Sequence, residues 1–251
     1  MRSLIAAIAL VLTLSIGCPV RASLIEFAID SERSSLTAGG YFADSSFAQP
    51  QIGDSDTTSY TGTISVELTG NTIQFVAGSW IDATAQSIKM QPGFGGEPGI
   101  AKADYGHKAT VGMFQTTGYA ATRNLVLDLT SDPLTLTFLA GSRSFDSTAL
   151  LFAPAMGSVD FDTGMPAQWG NAPLDGSSDS NANDSPSTLV LGDGLETLTI
   201  PVSLWFKYSG MTLGDSALSL DGQIVGTRIV PEPAALSLLS LGALALLRRR
   251  S

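Results

Sequence analysis

The chain has almost none of the residues on which most enzymatic and metal chemistry rests. It has one cysteine, Cys18, and one histidine, His107. A zinc centre of the usual Cys/His kind therefore has no ligand set. Cys18 lies inside an N-terminal apolar run, so nothing downstream can act as a thiol nucleophile or form a disulfide. A body without thiols must draw its stability from its own core. A Ser-His-Asp arrangement would have to use His107, which sits beside Asp104 and Lys108 after a glycine-rich stretch, where a solvated loop histidine is expected. No G-x-S-x-G elbow occurs. Gly93-Phe94-Gly95-Gly96 matches neither a phosphate-binding nor a dinucleotide-binding loop.

Positive charge is also scarce. Residues 23–229 hold 22 Asp and Glu against 8 Lys and Arg. So acidic a surface repels nucleic acid and anionic lipid, and suits solubility outside the cell or divalent-cation binding. Runs of good helix formers are missing from this stretch, which alternates Leu, Ile, Val and Phe with Ser, Thr, Asp and Gly. The composition belongs to a β protein, and about 207 residues suffice for a single β-rich domain.

Period-two alternation marks the strands. Ile64, Val66 and Leu68 share a face; after Thr69-Gly70-Asn71 that face resumes at Ile73 and Phe75, which predicts a hairpin. Leu125, Leu127 and Leu129 precede Ser131-Asp132-Pro133 and then Leu134, Leu136 and Phe138, predicting a second. Leu198, Ile200, Val202, Leu204 and Phe206 make one long face, and Leu218, Leu220 and Ile224 the next; Pro201 requires an edge or bulge in the former. Shorter candidates are Leu24–Ile29, Ser35–Phe42, Ser79–Asp82, Thr110–Phe114, Thr148–Phe152, Ser158–Asp162 and Thr188–Leu191. One wet face per strand is the antiparallel signature. The expectation is an all-β, antiparallel β-sandwich or flattened barrel of about 11–12 strands, flanked by an N-terminal signal helix and a C-terminal hydrophobic helix. Residues 35–41 and 217–224 also share a faint small–Leu–polar–x–x–Gly echo.

Two segments break the pattern. Gln91–His107, with five glycines and two prolines, predicts a long surface loop. Residues 171–186, polar and of low complexity, predict a flexible loop inserted within the one domain rather than a boundary. That second segment carries Asp175, Asp179, Asn181, Asn183 and Asp184, hard oxygen donors of the kind that hold calcium. Their spacing matches no EF-hand loop, and Asp/Asn-rich turns need no ion to explain them. Apart from calcium, no cofactor is implied.

Carboxylates and aromatics supply the other candidates. Asp160 and Asp162 share one face of a strand at a separation of about 7 Å, within the range for glycoside hydrolysis, although a chain so rich in Asp offers such pairs by composition. Trp205 falls on the polar side of its strand with Lys207. With Trp80 or Tyr208 it would make a stacking platform for sugar rings, unless a loop or second sheet covers it.

The long apolar runs absent from the body stand at the two ends. Met1-Arg2-Ser3, the apolar stretch Leu4–Ile16 and Val20-Arg21-Ala22 read as a signal peptide over residues 1–22, cut between Ala22 and Ser23; lipoprotein processing at Cys18 is the rival, with Ser15 in place of the usual Leu. At the other end, residues 230–251 run Val230-Pro231-Glu232-Pro233, then Ala234–Leu247 without a charge, then Arg248-Arg249-Arg250-Ser251. The prolines delay a helix to Ala234. Pro231–Leu247 as a helix would be roughly 25 Å long, at the short limit for a hydrocarbon core about 30 Å thick. The arginines would stay on the cytoplasmic side.

This tail resembles the PEP-CTERM sorting signal, in which a Pro-Glu-Pro box, a hydrophobic helix and an arginine cluster follow in that order. The resemblance implies a Gram-negative envelope, signal peptidase and the membrane protease exosortase as processing partners, and cleavage near Pro231–Pro233. It further implies anchoring in the inner membrane with the body in the periplasm, then release to the cell surface or beyond, in association with exopolysaccharide or biofilm. The body, around Arg123–Thr130, is similar to the β-rich exported domains that carry this tail. Such domains vary widely, so no catalytic residue carries over. The function expected is structural or adhesive and non-enzymatic, with a carbohydrate-binding module as the alternative and a glycan-active hydrolase as a weaker third.

Overall fold

The computed structural model describes residues 23–42, 45–46, 49–50, 57–84, 88–90, 100–111, 116–139, 141–162, 169–192, 194–208 and 216–230. The signal segment with Ala22, the sorting motif Pro231, Glu232 and Pro233, the arginines Arg248, Arg249 and Arg250, and residues 91–99 of the glycine-rich stretch lie outside them. Within them the chain is all-β, and every ladder is antiparallel. The first ten strands are β1 (Ser23–Ile29), β2 (Ser35–Phe42), β3 (Ser45–Ser46), β4 (Gln49–Pro50), β5 (Thr57–Thr69), β6 (Thr72–Phe75), β7 (Trp80–Ala83), β8 (Ile88–Met90), β9 (Ile100–Lys102) and β10 (Tyr105–Val111). The remainder are β11 (Thr116–Thr130), β12 (Leu134–Thr135), β13 (Thr137–Leu139), β14 (Ser142–Phe145), β15 (Leu151–Asp162), β16 (Trp169–Pro173), β17 (Asp179–Ser180), β18 (Ser187–Gly192), β19 (Leu195–Lys207) and β20 (Ala217–Ile229). One 3-10 turn, Ser147–Ala149, precedes β15.

Four strands close on themselves. β1 pairs β5 through Ser23↔Leu68 to Ala28↔Thr63, and β5 pairs β2 through Ser35↔Ser59. β2 then runs along β20 from Ser35↔Gln223 to Tyr41↔Ala217, and β20 returns to β1 at Ala28↔Thr227 and Ile29↔Gly226. The result is a small barrel with many outer strands. On one side β5 leads through β7 to β11 and β15. On the other, β20 leads to β19, β18, β14 and β13.

The alternation seen in the sequence becomes the core. Along β19 the even-numbered residues Leu198 to Phe206 are buried and their neighbours are not. They meet Phe27, Leu36, Ile64, Val66, Phe75, Ile81, Leu125, Leu127 and Phe152 in one cluster. Each such side chain contributes roughly 1.5–3 kcal/mol on burial. Where β5 crosses β7 the backbones touch: Gly62 has φ 114°, and a Cβ there would fall 1.8 Å from the Trp80 carbonyl oxygen. Only glycine fits.

Several expectations need correction. There are twenty strand segments among the described residues, more than the 11–12 expected, because long strands change partner along their length and short ones fill the gaps. The β5–β6 hairpin forms as predicted, with Thr69 opposite Thr72. The second hairpin does not. β11 pairs β15 and β7, while Leu134–Thr135 crosses to β6 and Thr137–Leu139 to β14. Pro201 does mark an edge: the β18 ladder ends at Thr188↔Thr199, two residues before it. The glycine-rich loop stops sooner than expected, since Ile100–Lys102 and Tyr105–Val111 are strands.

Candidate functional site

The outward face of β2, β20 and β19 builds from the register alone. Trp205 lies opposite Ser219 and Ser219 opposite Gly39; in the next row, Lys207, Ala217 and Tyr41 follow one another. Residues two apart share a face. Tyr41 and Trp205 therefore flank a floor of small residues, and their rings lean together with centroids 6.0 Å apart and planes at 34°. Ala217 and Ser219 are buried although they point outward. Gly40 permits the approach: its φ is 113°, and a Cβ would lie 2.1 Å from the Ala217 carbonyl oxygen. Trp205 is 45% exposed, as alternation predicts. Its N–H donates to Asp179 Oδ2 at 2.7 Å, which fixes the backbone beneath the indole. Around the rings stand exposed Lys207, Asp221 and Thr37, the last sharing a hydroxyl hydrogen bond with Thr57 at 2.8 Å. Aromatic faces ringed by hydroxyls and charges suit a ligand with one apolar and one hydroxylated surface.

The expected partners of Trp205 are not the ones it has. Trp80 is equally exposed, at 47%, but lies on β7, with β20, β2 and β5 between it and β19. Tyr208 is buried, its N–H donating to the Ser216 carbonyl, and burial pushes its phenol well above the ordinary range. Neither can share a platform with Trp205. Tyr41 takes that place, and no local pattern links it to β19.

The Asp/Asn-rich segment is built into the wall rather than looped away from it. β17 pairs Leu151 and Phe152 of β15. Ala182 N donates to the Ser203 carbonyl at 2.8 Å. Asn181 is buried; its Nδ2 donates to the Pro201 carbonyl at 2.7 Å, and its Oδ1 accepts from Ser203 N at 2.8 Å. The segment thus joins β15 to β19 and completes a second, larger circuit of strands. The proposed calcium ligands are divided by this. Asn181 and Asp179 serve backbone amides, Asn183 Oδ1 accepts from Ser185 N, and Asp175 and Asp184 are exposed. Among the described residues no three His, Cys, Asp or Glu side chains converge as a metal-holding group.

A second polar constellation lies around β10 and β11. His107, expected in a solvated loop, is a buried strand residue stacked on Tyr105 at 6.3 Å. Tyr105 and Tyr60 share a hydroxyl hydrogen bond of 2.8 Å, and Tyr105 donates to the Leu36 carbonyl at 3.1 Å. Asp104, 1% exposed, accepts from Leu125 N at 2.9 Å. That amide is turned inward by a bulge: the β11–β15 register shifts between Arg123 and Val126, and Asn124 takes φ 52°, the one positive value outside glycine among the described residues. Asparagine tolerates this region better than most residues. Burial pushes the Asp104 carboxyl up to about 6; the Leu125 amide opposes the rise, Asp82 adds to it and Arg123 offsets part. On the outer side Arg123 Nε donates to Asp160 Oδ2 at 2.5 Å and Asn171 Nδ2 to Asp160 Oδ1 at 2.6 Å. Both Asp160 oxygens are thereby engaged, unlike a carboxyl poised with Asp162 to pass a proton to a sugar. Bulges recur beside functional sites; at this one Asn124 is exposed.

No family model, curated protein or solved structure matched the chain.

Proposed function

We propose that the chain is an exported surface protein, held in the inner membrane by residues 231–250 until exosortase cuts near Pro231–Pro233. Its β-rich body, within a sandwich or flattened-barrel architecture, serves a structural or adhesive role in an exopolysaccharide matrix, without catalysis. One observation carries this reading. The Pro-Glu-Pro box begins just after β20, the strand that closes the inner barrel, so a cut there would fall beyond the last described strand. The other processed end is equally dispensable, because Ser23 is the first residue of β1. Deleting Pro231–Ser251 is expected to move the protein from the membrane fraction to the soluble periplasm. Unchanged fractionation would sink the anchor.

The carbohydrate-binding alternative has its own support in the Tyr41–Trp205 pair. In this reading the body adheres by stacking a pyranose ring on the two aromatics while Lys207, Asp221 and Thr37 meet its hydroxyls. Binding to a panel of bacterial exopolysaccharides is expected to saturate, and to weaken at least tenfold in Trp205→Ala or Tyr41→Ala but not in Trp80→Ala. Equal loss in all three, or no saturable binding, would leave the structural role alone.

A further inference from the structure

Among the described residues eleven large apolar side chains are exposed, and six of them, Phe138, Leu139, Val190, Leu191, Leu195 and Ile229, are 39–82% exposed and lie together. The register brings them to the same strand ends on two faces: Phe138 is opposite Arg143 and Leu191 opposite Glu196 on one, and the other four share the reverse face. Ile229 faces Leu195, Leu195 faces Gly192, Val190 faces Ser142, and Leu139 faces Ser142 across the next ladder. Leu24, the exposed second residue of β1, is at the same end, since β1 runs antiparallel to β20 and begins opposite Leu68. Scattered apolar side chains on a surface need no explanation; a rim of them does. Beneath the rim, Glu196 is neutralised by Arg143 and Arg228.

The chain leaves the body at this same rim. Val230 N donates to the Gly194 carbonyl at 2.8 Å, in the turn that leads into Leu195. Four residues later the uncharged stretch Ala234–Leu247 begins. Four residues span at most roughly 14 Å, and the headgroup layer is about 5–8 Å deep on each side. We propose that the rim is a membrane-seating surface. While the tail is in the bilayer, Phe138, Leu139, Val190 and Leu191 rest in the interfacial layer. This holds the body upright, with the Tyr41–Trp205 face, toward the far ends of β19 and β2, directed away from the lipid. The inference rests on the anchor reading above. Lipid is the occupant favoured over a second copy because a tether of at most roughly 14 Å, most of it spent crossing the headgroups, keeps the rim within about 9 Å of the bilayer surface.

The test uses the full chain with Cys18→Ser, so that one introduced cysteine carries an environment-sensitive dye. Leu191→Cys reports the rim, and Lys207→Cys, about 40 Å away along β19, reports the opposite end. Each is placed in nanodiscs of phosphatidylethanolamine and phosphatidylglycerol containing nitroxide-headgroup lipid. The dye at 191 is expected to shift to the blue and to be quenched several-fold more than the dye at 207. Adding Phe138→Glu with Leu139→Glu should abolish that difference without altering the circular dichroism or release from the disc. Equal, weak quenching at both positions in chains that stay in the disc would overturn the rim and leave the anchor standing. Failure to enter the disc would overturn both. A blue shift without nitroxide quenching, accompanied by cross-linking between copies, would give the rim to a second copy and also overturn the proposal.

Discussion

Two carboxylates are buried among the described residues, and they are treated differently. Glu196, 2% exposed, sits between two arginines: Arg228 Nε donates to its Oε2 at 2.6 Å, and Arg143 Nη2 pairs with its Oε1. Arg228 also lies over the Phe27 ring at 5.5 Å, so its apolar plane is packed while its charge is met. Asp104 has one backbone amide, a nearby like charge in Asp82, and in Arg123 a cation already committed to Asp160. The first acid joins β14, β19 and β20 across the outer sheet. The second pins the bulge in β11 and is ionised at a cost. Burial alone does not set a carboxylate's role; its partners do.

Breaking the first arrangement is expected to have the largest effect. Glu196→Ala leaves two arginines facing each other and should lower unfolding free energy by about 4 kcal/mol in urea melts. The contrast sharpens with pH. Asp104 ionises near 6 when folded and near 3.8 when unfolded, so between these values the folded state binds more protons. Stability from this group is therefore greatest below 3.8, falls as pH rises to about 6, and is level above. The span is at most about 3 kcal/mol. Asp104→Asn should remove that slope, seen by subtracting its chemical-melt profile from the parent's between pH 4 and 6.5; identical slopes would refute the assignment. Replacing Glu196, Arg143 and Arg228 together by Met should cost only about 1–2 kcal/mol, less than Glu196→Ala alone, because no charge is then stranded. Smallest of all, Asn124→Gly should relieve the positive φ and gain less than about 1 kcal/mol, leaving the Asp104 profile in place.

What the sequence made legible was faces. The alternation in β5, β6, β19 and β20 named the core-facing residues and placed Trp205 on the exposed side, because a period of two is a local property; it did not foresee that Ser65 and Ser219 on the polar faces are also buried. Pairing is not local. Leu125–Thr130 and Leu134–Phe138 look like a hairpin around Ser131-Asp132-Pro133, yet Ser131 N donates to the Phe75 carbonyl and draws the chain to β6 instead. Asn181 was read as a loop donor because its neighbours are polar; the free edge of β19 beside Pro201 is what buries it. Tyr41 was illegible as a site residue for the same reason. The two segments of the faint echo, residues 35–41 and 217–224, are partners in β2 and β20, a pairing that their similarity did not imply. Gly39 faces Ser219 so closely that a Cβ would come within 2.9 Å of its Oγ, which is a packing reason for small residues on both.

β20 contacts β1, β2 and β19, so the inner barrel has no closed form until the thirteen residues at its C-terminal edge are available. Until then β1, β2 and β19 each lack one neighbour. Pairings between sequence-distant strands form slowly. The inner barrel of such a chain can therefore close only once β20 is in place.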